Sequence, residues 1–284
     1  VLPAEVVMSY RNMLVCLDDS TQSKRRLQFA LELARQYDAH LTGLHLCYMP
    51  EAPYLAYDGM EPLFVRLEAE IEKRQLQAHD AFEAAAREAG VSTGWVAARS
   101  VDMQAVINFA RVSDLIVAGQ PDPEDTATYI GEGFPSRFLL GVARPMLFTP
   151  HRHALKSSFD SILVAWNGSR EAIRAVADAL PLLQAAQRVT VLTVRPEARP
   201  AASPVPPPDI AAYLQHHGIV ADVLENVSRD DPGRWLLARA EDLELPADLI
   251  VAGAYGHSRL TELVMGGVTR SLLQGMTVPV LLSH

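Results

Sequence analysis

The run Asp114-Leu-Ile-Val-Ala-Gly119 recurs without change as Asp248-Leu-Ile-Val-Ala-Gly253, 134 residues further along. The same offset carries Gly141 onto Gly275 and Pro145 onto Pro279. Earlier in each copy, Leu14-Val-Cys-Leu-Asp-Asp-Ser20 pairs with Leu163-Val-Ala-Trp-Asn-Gly-Ser169. A repeat this long means two copies of one folding unit, and 284 residues are enough for two ordinary domains. The boundary is expected near 151–158, giving units 1–152 and 153–284.

Each copy alternates short apolar runs with segments of helical spacing. In the first, Met13 to Leu17, Leu41 to Cys47, Gly94 to Ala98, Asp114 to Gly119 and Arg144 to Thr149 read as strands. Between them, Leu27, Ala30, Leu31 and Ala34 recur at helical spacing. Glu61 to Gly90 reads as a long charged helix with Gly90 as its cap, and Asp102 can cap a short helix carrying Val106 and Ile107. In the second copy the strands are Ile162 to Trp166, Val189 to Val194, Ile219 to Val227, Leu249 to Gly253 and Pro279 to Ser283. Pro181 is expected to bend the helix that carries Ile173, Val176 and Leu180. Strands alternating with helices imply an α/β fold, a mostly parallel sheet covered on both faces.

The stretch Asp248 to Arg270 then stands out. A strand-like run ends in Gly253-x-x-Gly256, nine residues follow, and Gly266-Gly267 opens an apolar helix. Glycine lets a ligand approach the backbone closely. A helix start offers unpaired N–H groups and a positive dipole end, which suit a phosphate. The competing reading is that these are turn and helix-entry glycines with no ligand.

Gly253-x-x-Gly256-x9-Gly266 resembles the nucleotide-binding signature of the universal stress protein family, and with the repeat the resemblance covers nearly the whole chain as a tandem pair. It implies two doubly wound, Rossmann-like five-stranded sheets of order 3-2-1-4-5, packed on each other as an intramolecular pseudo-dimer through their last strands. It implies ATP or a related adenine nucleotide, with Mg²⁺ compatible beside it. The ligand would lie beyond the carboxyl ends of strands one and four. The residues implied are Ala165, Asn167, Ser169, Val194, Gly253, Gly256, His257, Arg259, Gly266, Gly267, Val268 and Thr269. In the family the last glycine is usually followed by Ser or Thr. Here Gly267 follows, so that hydroxyl is absent or comes from Thr269. The position of Asn167 is commonly Asp in the family; Asn keeps hydrogen bonding without the charge. Asn167 and Ser169 equally suit a turn and a helix cap, Val194 equally suits the core, and His257, Arg259 and Arg270 equally suit solvent.

The first copy departs from the pattern. Asp122 stands at the position of Gly256 and Glu132 at that of Gly266, while only Gly119 and Gly133 persist. Pro121, Pro123 and Pro135 stiffen the loop, and Glu124 and Asp125 add charge. Carboxylates in a phosphate site repel the ligand, so the first copy is expected not to bind nucleotide in the usual way. The same carboxylates are the ligand type that Mg²⁺ takes.

A net charge of −9 with no Lys/Arg block argues against nucleic acid as partner. No apolar run reaches the roughly 18 residues of a membrane span. Val1 to Tyr10 lacks the form of a secretion signal, which together with two cysteines read as buried free thiols, Cys16 and Cys47, points to the cytoplasm. His151, His153, His216 and His217 lack metal-ligand spacing and read as surface residues. No phosphate-loop or nucleophile-elbow motif occurs. The readings therefore rank as a nucleotide-binding stress-response sensor or regulator with an unknown protein partner, then a nucleotide-free scaffold with vestigial sites, then a weak ATP-hydrolysing enzyme. A further homodimer is compatible with each.

Overall fold

The structure, a computed structural model, describes residues 9–47, 61–99, 103–122, 124–125, 133–195, 209–227, 232–255 and 267–284. The first half runs β1 (Asn12–Leu17), α1 (Ser23–Gln36), β2 (His40–Cys47), α2 (Glu61–Ala89), β3 (Thr93–Arg99), α3 (Met103–Ala110), β4 (Leu115–Gly119), α4 (Gly133–Val142) and β5 (Met146–Thr149). The second runs β6 (Ser161–Trp166), α5 (Arg170–Ala185), β7 (Arg188–Arg195), α6 (Ile210–His216), β8 (Ala221–Val227), α7 (Pro232–Glu241), β9 (Leu249–Gly253), α8 (Gly267–Gly275) and β10 (Val280–Ser283). Pro181 lies inside α5, which continues through it to Ala185. Gly90 follows α2 with φ +67°, the left-handed geometry of a helix cap.

All ten strands form one sheet of order β3-β2-β1-β4-β5-β10-β9-β6-β7-β8. Each half is parallel within itself and has order 3-2-1-4-5 counted along its own strands. The halves join where β5 meets β10 antiparallel, with Leu147 opposite Leu281. These two residues are repeat counterparts, so the pseudo-two-fold axis passes between them. The last strands are edge strands of each unit, and pairing them removes two exposed edges.

Strands covered on both faces carry unbroken apolar runs, and β4, β5 and β10 are buried throughout. The outer strand β3 is only half-buried along most of its length. One core layer lies under α1, α2, α5 and α6 and runs through Leu147 and Leu281 across the junction. The other lies under α3, α4, α7 and α8. Asp114 and Asp248, the first residues of the repeated run, do the same work in each half. The carboxylate of Asp114 accepts from the backbone N–H groups of Arg11 and Asn12, both at 2.9 Å. That of Asp248 accepts from Asp160 and Ser161 at 3.1 and 3.2 Å. Each ties the entry of the leading strand to the start of strand four.

Hydrogen bonds cross the axis on both faces of the sheet. Tyr10 Oη donates to the carbonyl of Asp178 at 2.7 Å, and Tyr37 Oη to that of Pro181 at 3.3 Å, which ties the α1 side to α5. On the other face Gln120, just past β4, donates through Nε2 to the carbonyls of Leu273 and Gln274 at the end of α8. Its Oε1 accepts from the backbone N–H of His151 and lies 2.7 Å from His151 Nδ1. His151 is thus half-buried in the junction, unlike the surface histidine expected; His153 and His216 are exposed.

Candidate nucleotide crevice

In each half the strand order reverses between the first and fourth strands, and the crevice opens at their carboxyl ends. In the second half this is the gap between β6 and β9, where Ala165 pairs in register with Ala252. Beyond Ala165 the chain turns through Asn167, Gly168 and Ser169. Asn167 Oδ1 accepts from the backbone N–H of Ser169 at 3.0 Å, and Gly168 takes φ +73° to close that turn. Ser169 Oγ caps α5 by accepting from the N–H of Ala172 at 3.2 Å. The cap reading of Ser169 is therefore realised, while Asn167 stays exposed at the mouth.

Gly253 ends β9 with its backbone against the first turn of α5. A Cβ there would stand 2.5 Å from Ala172 N and from the carbonyl carbon of Glu171. The glycine is thus required by helix packing, independently of any ligand. Glu171 is buried beside it. Burial pushes its carboxyl up, but hydrogen bonds from Arg170, its own backbone N–H and Ser169 outweigh this and hold it below the usual range. Tyr255 follows at φ +65°, its ring edge-on to His284, whose Nδ1 lies 3.1 Å from the Ala254 carbonyl.

Gly267 opens α8 and is exposed, and nothing among the described residues lies within 4 Å of a Cβ built on it. Val268 is half-buried and Thr269 is buried, so the Thr269 side chain faces protein. Val194 lies on β7 opposite Asn226, one residue past the partner of Trp166. Gly256, His257, Arg259 and Gly266 lie outside the described residues.

The first half fills the matching crevice with its own side chains. Asp18 Oδ1 accepts from the Ser20 N–H at 3.1 Å and from Arg26 Nη2 at 3.0 Å, and both charged side chains are buried, at 0% and 3% exposure. Arg26 Nη1 stands 1.9 Å from where a Cβ on Gly119 would be. The acidic loop is spent on protein as well. Asp125 accepts from the Thr21 N–H at 3.1 Å, Asp122 from the Glu124 N–H at 3.0 Å, and Glu124 pairs with Arg152 at 2.6 Å. Among the described residues no group of three or more His, Cys, Asp or Glu side chains could hold a metal ion. No helix among them is long and apolar enough to cross a membrane.

Arg26 was the contributor that sequence reasoning missed. Its signal was present: it lies beside Leu27 and one turn before Ala30, on the apolar stripe of α1, where a charged residue is out of place unless paired.

Two doubly wound units fused edge to edge, with a strand-end crevice in each, define a tandem doubly wound α/β protein. The model of the universal stress protein family matches residues 9–141 and again 158–284, and the chain belongs to that family. A universal stress protein from Archaeoglobus fulgidus DSM 4304 is similar along the whole length, with TM-score 0.68 at 17% identity, covering 95% of this chain and 97% of that one. A protein described as functionally unknown from Pseudomonas aeruginosa PAO1 gives 0.56 at 16% identity, with 96% and 92% covered. The cytoplasmic domain of a prokaryotic cation chloride cotransporter gives 0.51 at 13% identity, with 96% and 95% covered. At these identities the likeness concerns the fold. No protein of curated function matches the chain.

Proposed function

We propose that the chain binds ATP or a related adenine nucleotide in the crevice between β6 and β9, and acts as a cytoplasmic sensor or regulator in the stress response. The proposal takes 1–152 and 153–284 as the two units, with the second as the binding unit. What supports it is the contrast between the crevices. The first contains a buried guanidinium–carboxylate pair. Counting from Leu14 and Leu163, the second has Ala175 and Asn167 at those positions. It also presents an exposed Gly267, with nothing among the described residues within 4 Å of a Cβ built on it, at the start of a nine-residue helix, the environment in which helix N–H groups take an anion.

Ala165, Val194 and Asn167 would receive the base and ribose, and Gly256, Gly266, Gly267 and Val268 the phosphates, with His257 and Arg259 as cations. Mg²⁺ would arrive on phosphate oxygens and keep several waters, as that ion commonly does. A nucleotide-free scaffold is the second reading, favoured by one observation: Ser169 is already engaged in capping and Thr269 is buried, so two polar groups of the implied set are spent on protein.

The deciding experiment is a thermal-shift series with ATP, ADP, AMP and no nucleotide. A ligand that prefers the native state raises its midpoint by mass action. No shift with any of the three at millimolar concentration would transfer the reading to the scaffold.

A further inference from the structure

Beside the first crevice, a thiol, an imidazole and a carboxylate meet at the carboxyl end of β2. His45 and Cys47 are two residues apart on one strand, so they share a face. Cys47 Sγ lies 3.4 Å from His45 Nδ1. His45 Nε2 lies 3.4 Å from Asp19 Oδ1, just past the end of β1, at ion-pair distance, and has no hydrogen-bond partner among the described residues. Arg74 on α2 holds the other oxygen, Asp19 Oδ2, at 2.8 Å. The indole of Trp95 stacks on the imidazole at 5.8 Å and 19° and fixes its plane. A base touching a nucleophile, with an acid on its far nitrogen, is the arrangement that activates a side-chain nucleophile.

The second cysteine gives an internal comparison. Cys16 is also buried and free. Burial pushes its thiol up to about 12, and its ionisable neighbours are Arg26 and Asp18. Buried thiols of that kind are inert.

We propose that Cys47 is an oxidation-sensitive thiol, activated by His45 and converted by hydroperoxides to a sulfenic acid. The protonated His45 imidazole donates from Nδ1 to the sulfur and stabilises the thiolate once the thiol proton has left to solvent. The thiolate sulfur then attacks one peroxide oxygen, forming an S–O bond as the O–O bond breaks. The hydroxide that leaves from hydrogen peroxide takes a proton from His45 and departs as water, and His45 recovers a proton from solvent. Sulfur gives up two electrons and the peroxide receives them. Asp19 acts through His45 as a positioning residue, stabilising the imidazolium. Burial pulls the imidazole down, but Asp19 and Cys47 outweigh it and hold His45 at about 9. Cys47 is buried against Ile71 and Leu67 on α2, so peroxide must displace that contact to reach the sulfur.

The test treats the full chain with hydrogen peroxide in the presence of a dimedone trap and follows the adduct at each cysteine by mass spectrometry. Cys47 labels at least about tenfold faster than Cys16, and His45→Gln slows Cys47 by at least about tenfold, because the thiolate loses the cation beside it. Leu67→Ala speeds labelling without touching the relay. Asp19→Asn, at a partly exposed position, moves the rise of the rate with pH upward. The groups facing the imidazole in that profile are Asp19 and Cys47, with Arg74 acting through Asp19 and His79 across Trp95. Equal labelling of the two cysteines overturns the proposal. So does undiminished labelling in a folded His45→Gln variant, or an unmoved profile in Asp19→Asn, which decides alone if His45→Gln does not fold.

Discussion

Arg26 occupies the space beside Gly119 that a side chain would need, and Asp18 holds it there at 3.0 Å. The first half therefore carries inside its crevice the kind of charge pairing that a ligand would otherwise provide. A nucleotide entering this half would have to displace a buried guanidinium and strand its carboxylate, a cost of several kcal/mol.

One nucleotide per chain is the expected stoichiometry. Titration calorimetry with Mg²⁺ and ATP should give a single site, and two equal sites would contradict the reading of the first crevice.

The buried pair itself can be tested. Arg26→Met alone leaves Asp18 buried without its cation and should cost about 3–5 kcal/mol. Adding Asp18→Asn, the residue that the second half uses at that point, should recover most of the loss. Urea denaturation of the single and double variants measures both.

Two glycines of the second crevice should respond in opposite ways. Gly253→Ala drives a Cβ into the backbone of α5, 2.5 Å from Ala172 N, and should destabilise by about 1–3 kcal/mol. Gly267→Ser meets nothing within 4 Å among the described residues. It should leave the melting point within about a degree or raise it slightly, since Ser has a higher helix propensity than Gly. It should also strengthen nucleotide binding several-fold by supplying the hydroxyl that the resemblance implies there. Unchanged affinity would remove Gly267 from the phosphate site.

Gly256→Asp with Gly266→Glu installs the first half's residues in the second. Each side chain blocks close backbone approach and each carboxylate repels phosphate. Binding should fall at least about tenfold, equivalent to about 1.4 kcal/mol, with a ligand-free melting curve as the control. A folded double variant of undiminished affinity would leave these glycines as turn formers only.

His45 makes stability depend on pH. Its folded value, about 9, lies above the ordinary 6.5. Its contribution is therefore complete below about 6.5 and is lost as pH rises through about 9. The stability difference between the wild type and His45→Gln, taken from urea midpoints, should shrink across that window. A difference constant with pH would show that the pair with Asp19 contributes nothing.

The strands were legible because burial on both faces writes them as unbroken apolar runs; β4 and β9 could be read from six identical residues. The outer strand β3 was read as Gly94 to Ala98 and extends one residue further at each end, because a half-exposed strand needs no such run. The crevice was less legible. Ser169 suits a ligand hydroxyl and a helix cap alike, and only the bond to Ala172 decides. Arg26 is marked by its place on the apolar stripe of α1 as needing a partner, but only the fold brings Asp18 and Gly119 to it. The spacing of His45 and Cys47 was visible, but Asp19 joins them through the pairing of β1 with β2, which no local pattern encodes.

The antiparallel meeting of Leu147 and Leu281 has a consequence for how the protein can vary. Two separate chains sharing such an edge would be identical, would exchange with relatives and would come apart on dilution. Here the linker makes the encounter intramolecular, with an effective concentration set by its length. The junction is then independent of protein concentration, and a foreign partner has to exceed that effective concentration to displace it. Freed from having to match its mirror image, one half could fill its crevice with a salt bridge that the other lacks, an inequality that a symmetric pair of chains has no means to encode.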